Sequence, residues 1–435
     1  MTPDERKVLK ERWLHQARRQ DASHSELPGR QDAHPDLTDF STLEGYRQIS
    51  MMRSLAGAAG VASPFFRCHD TRAGAVSQLQ GRDVINFASY DYLGLAGDSR
   101  VIAATRHAIE RYGTSVSASR IVAGERPFHQ KLEGALAQHY QSDDALAFVS
   151  GHATNVSTIA MLVGPRDLIV HDSLIHNSVL VGAKLSGATR MSFPHNDPDA
   201  LDQLLRRHRQ RFERVLVVIE GLYGMDGDTP DLTRFIAVKR HHQCWLMVDE
   251  AHSLGVLGAT GQGLYQHCDV SAAEVDIWMG TLSKALASSG GYIAGCQPLI
   301  DTLRYLAPGF LYSVGLAPQL GGPAIRALEL LEQEPWRVTA LQHNAQRLLA
   351  GCRALGLETG HCQGHAIIPV ILGDSAKATQ LSHRLLEAGI NVQPILYPAV
   401  PERSARLRFF VSSEHTHEQI DVTLQTLGGL MATSS

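Results

Sequence analysis

From about residue 91 the chain alternates short, continuous apolar runs with segments whose apolar residues recur at helical spacing. The runs lie at 145–149, 167–170, 215–219, 245–248, 276–279 and 291–294, and helical spacing marks 153–163 and 199–209. Strands that are apolar on both faces, separated by amphipathic helices, predict an α/β fold built on a mainly parallel sheet covered on both sides. Past residue 318 the texture changes. Helical spacing over 324–331 and 338–355, broken at Pro335, precedes strand-like 366–372, a helix over 376–387, a strand over 405–411 and a helix from His417. The pattern predicts three parts: an N-terminal extension and helical arm (1–62), a large domain (63–320) and a smaller C-terminal α+β domain (321–435). Within the first, a charged helix is expected over 3–19, and regular patterning begins near Phe40. The stretch over 1–45 reads as a mobile extension or a partner-docking arm.

Composition narrows the function classes. With 44% apolar and 19% charged residues, the 435-residue chain has an ordinary globular mix. A formal net charge of −4 argues against a partner that is nucleic acid or an anionic membrane. No stretch approaches the roughly 18 to 20 apolar residues that cross a bilayer. The opening residues are charged throughout, without the apolar core of a signal peptide. Six cysteines, Cys68, Cys244, Cys268, Cys296, Cys352 and Cys362, form no CxxC pair, so a reducing cytoplasm is expected. The 22 histidines are scattered, and most are expected at the surface.

Candidate chemistry gathers at the ends of the apolar runs. Lys284 closes the run Gly280-Thr-Leu-Ser-Lys284 and precedes a stretch of small residues, which should hold it in a buried crevice. Burial lowers a lysine's pKa and frees its amine to form an imine. Asp249 and His252 follow the apolar run 245–248, where open α/β sheets bind their ligands. A buried Asp249 needs a cationic partner, and a protonated pyridine nitrogen serves, with His252 near the ring's phenolic oxygen. Asp249-Glu-Ala-His252 also spells a helicase box, but no phosphate loop of the G-x-x-x-x-G-K-[ST] type accompanies it. A strand turns through Ser150 and Gly151 into a helix, whose free N–H groups suit a phosphate. Thr281 can add a hydroxyl, and His152 or His176 can stack on a flat ring. Aldehyde, ring nitrogen and phosphate thus each find a partner.

These residues resemble those of the α-oxoamine synthases, in the aspartate-aminotransferase-like, fold type I group of pyridoxal-phosphate enzymes. The likeness rests on Asn86-Phe-Ala-Ser-Tyr-Asp-Tyr-Leu-Gly-Leu95, His195-Asn-Asp197, Glu220-Gly-Leu-Tyr-Gly-Met-Asp-Gly-Asp228, Asp249–His252, Thr281–Lys284 and Arg406-Leu-Arg408. The resemblance implies a large domain with a seven-stranded sheet, pyridoxal 5'-phosphate as cofactor and Lys284 as the lysine that holds its aldehyde. It also implies Asp249 as pyridinium partner and His252 as donor to the ring oxygen. Ser150, Gly151, His152, Thr281 and Ser283 correspond to the phosphate-and-ring turn, and Ser313 to a phosphate hydroxyl in the partner-subunit loop. His176 matches the histidine that stacks on the ring and meets substrate, while Arg408 and Ser412 match the residues that bind the amino-acid carboxylate. The implied reaction is a decarboxylative condensation of an amino acid with an acyl thioester, of coenzyme A or an acyl carrier protein. Its product is an α-amino ketone, made by a homodimer with a shared active site.

Four positions depart from the family pattern. Gly224 stands where the family commonly has a serine that supports the ring oxygen, and Val314 with Gly315 where Ser or Thr is frequent. Tyr90 stands where glycine-using and alanine-using members carry Asn, which resembles the serine-palmitoyltransferase and carrier-protein-associated branch. Glycine, alanine and serine all stay open as the amino acid. Two other classes stay open: an aminotransferase of the same fold, which would share Lys284 and Asp249, and a non-catalytic subunit of a heterodimeric synthase, against which Lys284 argues and for which Gly224 leaves room.

Overall fold

The structure, a computed structural model, describes residues 38–58, 63–397 and 399–432. The chain divides into two compact units, Met1–Ala62 and Ser63–Ser435. In the first, Asp39 accepts from the Ser41 N–H at 2.8 Å, capping a turn at Phe40–Thr42, and the helix Glu44–Ala58 follows. The helix expected over 3–19 lies outside the described residues.

The second unit opens with a hairpin of β1 (Val76–Leu79) and β2 (Arg82–Asn86). Gln80 and Gly81 turn it with φ of 54° and 73°, the left-handed geometry that matches strand twist and that glycine adopts freely. The large sheet is then built from β3 (Asp144–Phe148), β4 (Leu168–Asp172), β5 (Thr189–Phe193), β6 (Val215–Glu220), β7 (Trp245–Asp249), β8 (Ile277–Thr281) and β9 (Gly291–Gly295). Its seven strands run in the order β3-β9-β8-β7-β6-β4-β5. Only β9 opposes the others, pairing antiparallel with β3 and β8. The mainly parallel sheet expected from the apolar runs is the one found. Every residue of β4, β6, β8 and β9 is buried, as strands covered on both faces require.

Four more strands follow, β10 (Ile367–Ile371), β11 (Ile390–Asn391), β12 (Gln393–Ile395) and β13 (Arg406–Phe410), before the helix His417–Ala432. A second sheet runs β10-β13-β12, and β11 joins β2 in a third.

Two features differ from expectation. β5 was hidden because its residues, TRMSF, lie on the sheet edge with only Phe193 buried, so no apolar run marks it. The helix expected from Ala324 begins instead at Pro318 and continues through Pro323 to Gln333. Close packing carries it past the proline: a Cβ at Gly322 would meet the Ala104 carbonyl oxygen at 2.9 Å on the helix Ser99–Tyr112. Finally, most histidines were expected at the surface, and among the described ones His129, His139, His171, His242 and His415 are the buried minority. Each is hydrogen-bonded, as burial demands; His129 Nε2, for instance, meets the Leu316 carbonyl oxygen at 2.9 Å.

Candidate active site

The carboxyl ends of β6, β7 and β8 deliver Glu220, Asp249 and Thr281 to one edge of the sheet, and Lys284 follows three residues beyond β8. In the parallel register Glu220 lies beside Asp249 and Asp249 beside Met279. The Lys284 amine makes no hydrogen bond among the described residues and lies 5.6 Å from the centre of the Tyr90 ring. Desolvation lowers its pKa to about 8, against the pull of the Asp249 and Glu220 carboxylates, which favour the ammonium. Burial beside Asp249 pushes Glu220 up to about 8.

Asp249 is almost fully enclosed. Its Oδ2 accepts from Asn155 Nδ2 at 2.8 Å and its Oδ1 from the Ala251 N–H at 3.0 Å. Asn155 also donates to Ser178 Oγ at 2.9 Å. This arrangement orients one carboxylate oxygen firmly from the helix Gly151–Leu162.

That helix starts where the sequence places the phosphate turn. Ser150 caps it by accepting from the Ala153 N–H, and the Gly151 and His152 N–H groups have no partner among the described residues. A Cβ on Gly151 would lie 3.0 Å from Thr281 Oγ1, so glycine lets the turn close against β8. Thr281 donates to the Gly290 carbonyl oxygen at 2.9 Å and lies 2.6 Å from Ser283 Oγ. Free N–H groups at a helix start with hydroxyls beside them form an anion cradle.

Above it, His176 caps the helix Asn177–Ser186 through Nδ1, which meets Ser178 Oγ at 2.7 Å. The His152 and His176 rings are 6.4 Å apart, edge to face. Burial lowers the pKa of His176, as it does strongly for His252 with Lys284 and Arg408 nearby. His252 Nδ1 meets Tyr92 Oη at 2.8 Å, and its ring lies parallel to Phe410.

Arg408, on β13, donates through Nη1 to the Gly224 carbonyl oxygen at 2.8 Å and stacks over Phe410 at 4.6 Å. Its Nε is buried without a partner. Two residues earlier on the same face, Arg406 grips the same loop through Asp226 at 2.7 Å and the Met225 carbonyl oxygen at 3.0 Å. The loop is held from its other end by His195, which bridges Asp172 at 3.0 Å and Asp228 at 2.9 Å.

The structure therefore brings Lys284, Asp249, His252, His176, His152, Thr281, Tyr90 and Arg408 around one crevice. Two expected residues are engaged elsewhere. Ser412 is buried, its hydroxyl donating to the Asp91 carbonyl oxygen at 2.7 Å. Ser313 donates to the Gly309 carbonyl oxygen at 2.7 Å and not to any residue of the Lys284 cluster. Three contributors went unassigned in the sequence, namely Asn155, Tyr92 and Glu220, although each lies inside a stretch singled out there. Their signal was position: each falls on or beside the turn that also carries an assigned residue.

A group with an aldehyde, a protonated ring nitrogen and a phosphate fits this crevice. The unbonded Lys284 amine, the enclosed Asp249 carboxylate and the free Gly151 and His152 N–H groups supply one partner for each.

A family model described as aminotransferase class I and II matches residues 82–427. The 8-amino-7-oxononanoate synthase of Symbiobacterium thermophilum is 37% identical over 390 residues, covering 89% of this chain and 96% of that one. The serine palmitoyltransferase structure from Sphingomonas wittichii superposes with a TM-score of 0.86 at 31% identity, covering 90% of this chain and 98% of the other. A serine palmitoyltransferase from S. paucimobilis, solved with pyridoxal phosphate and myriocin, matches with a TM-score of 0.86 at 28% identity over the same shares. The chain belongs to the aminotransferase class I and II family and, within it, to the pyridoxal-phosphate-dependent α-oxoamine synthases.

Proposed function

We propose that the protein condenses a small L-amino acid, alanine, serine or glycine, with an acyl thioester to give an α-amino ketone and CO2. The observation that carries this reading is the Lys284 amine, desolvated and without a hydrogen bond, at the edge where Asp249 emerges. The relatives' names agree with it: 8-amino-7-oxononanoate bears an amine on the carbon beside a ketone.

Bound pyridoxal phosphate supplies an electron sink for the carbanion formed at the amino acid's α-carbon. Asp249, fixed by Asn155, holds the proton on the ring nitrogen. Gly151, His152, Thr281 and Ser283 hold the phosphate, joined by Ser313 of the partner subunit. His252 would donate to the ring oxygen, and His176 would help hold the ring. Arg408 would receive the substrate carboxylate through its unpartnered Nε, with Tyr90 nearby. Lys284 would take the α-proton onto Nζ, its pKa of about 8 suiting that transfer near neutral pH. Tyr90, 5.6 Å from the Lys284 amine where glycine-using members of the family carry Asn, weighs against glycine.

The reading includes a large domain over 63–320 that carries Lys284 and Asp249, and a smaller one over 321–435 that supplies Arg408. It also includes a cytoplasmic homodimer with a shared site. Exposed Ile121 and Tyr305 line a cavity of about 550 Å³, and Val122, Tyr312 and Val314 are also exposed, an apolar set suited to a second copy. No helix among the described residues is long and apolar enough to cross a membrane. An acyl carrier protein or coenzyme A would bring the thioester.

The test is to incubate purified protein with each amino acid and with coenzyme A or carrier-protein thioesters, and to identify products by mass. An α-amino ketone with free thiol is expected; a keto acid with a transferred amino group would replace this reading with an aminotransferase. Light scattering of active protein should give twice the chain mass, and a single-chain mass would remove the shared site.

A further inference from the structure

His252 has a hydrogen-bond partner whose own options are restricted. Tyr92 is fully buried, and its hydroxyl meets His252 Nδ1 at 2.8 Å. That hydroxyl makes no other hydrogen bond among the described residues. A buried phenol must donate its proton, so it donates to Nδ1, and a neutral imidazole that accepts at Nδ1 carries its proton on Nε2. The groups facing His252 are Lys284, Arg408 and His176, with the Tyr90 and Phe410 rings beside it. Two neighbouring cations disfavour a second proton on the ring.

Gly224 completes the arrangement from the other side. An added Cβ there would lie 2.5 Å from His252 Nε2 and 2.8 Å from Cδ2. The imidazole edge thus occupies the space that a side chain at 224 would need. Gly224 is room for the ring that Tyr92 holds, not merely a missing hydroxyl.

We propose that Tyr92 is a positioning residue that locks His252 in the Nε2–H tautomer, and that Gly224 leaves the space this ring position requires. The consequence for the cofactor rests on the role given to His252 above: a permanently protonated Nε2 faces the crevice as a donor.

The test uses the full chain labelled with ring-15N histidine, first without cofactor, with the His252 signals identified by their loss in His252→Gln. The wild type should show a single Nε2–H tautomer. Tyr92→Phe keeps the ring but removes the donor, and should give a mixture of tautomers. Gly224→Ser should disturb the same signals by displacing the imidazole. In the loaded proteins both substitutions should weaken cofactor retention, Tyr92→Phe by about tenfold and Gly224→Ser despite its added hydroxyl. An Nδ1–H tautomer in the wild type, or an unchanged tautomer in Tyr92→Phe, would overturn the lock. An undisturbed His252 in Gly224→Ser would overturn the space argument. If the tautomer shifts as expected while His252→Gln retains cofactor normally, the lock stands and the cofactor role of His252 fails.

Discussion

Asn155 Nδ2 lies 2.8 Å from Asp249 Oδ2, so the carboxylate proposed as the ring nitrogen's partner is held by an amide from the neighbouring helix. A hydrogen bond to a charged group contributes about 1.5–3 kcal/mol. Asn155→Ala should therefore weaken cofactor retention by roughly ten- to a hundredfold while leaving the fold intact. Titrating cofactor into stripped protein by visible absorbance checks this. Retention equal to wild type would mean that Asp249 needs no such support.

The Lys284 amine must be neutral to react with the cofactor's aldehyde. With its pKa lowered to about 8, the rate of cofactor loading into stripped protein should rise with pH and level off above about 8. The Asp249 carboxylate is the largest influence favouring the ammonium. Asp249→Asn should therefore move the rising limb to lower pH, although the loaded protein will be less active. Stopped-flow absorbance across pH reads both effects, and a limb that stays above pH 10, near the ordinary 10.5, would show a solvated lysine.

His195 gains two carboxylate partners on folding, and its pKa rises from 6.5 to about 10. A group raised in the folded state stabilises fully below its unfolded pKa and loses that contribution as pH climbs through the folded one. Thermal stability should fall between pH 6.5 and about 10 in the wild type, and this component should be missing in His195→Asn. The substitution also leaves Asp172 and Asp228 without their cation, at a cost of about 3 kcal/mol. Calorimetry over that pH range tests the sign, and parallel curves for both proteins would exclude a charged His195.

Arg408 keeps a buried Nε free while Nη1 holds the Gly224 carbonyl oxygen. Arg408→Lys removes the planar fork and should raise KM for the amino acid about ten- to a hundredfold, with a smaller change in kcat. An unaltered KM would separate Arg408 from substrate binding.

Much of this was legible in the chain because burial on both faces writes strands as apolar runs. β6 reads VLVVIE and is buried throughout, so its position was plain. β5 was silent because an edge strand with a polar composition has no such signature. In the site, Lys284, Asp249, His252 and Arg408 could be named because their chemistry is matched to the cofactor and substrate. Tyr92, Asn155 and Glu220 act on other residues, and pairings such as Asn155 with Asp249, 94 positions apart, are set by packing that no local pattern records. Gly224 is the clearest case. Sequence alone read it as a lost hydroxyl, whereas the His252 ring fills the space beside it.

In the proposed reaction Lys284 and its neighbours serve a condensation that expels the amino acid's carboxyl group. The most direct measurement is the fate of label from a carboxyl-labelled amino acid, with acyl thioester present, in the wild type and in Lys284→Ala. One labelled CO2 is expected for each α-amino ketone formed by the wild type, and neither product in Lys284→Ala, which before the amino acid is added should also lack the visible band of the lysine–cofactor imine. Retention of all the label in wild-type products, or turnover surviving in Lys284→Ala, would contradict that reaction.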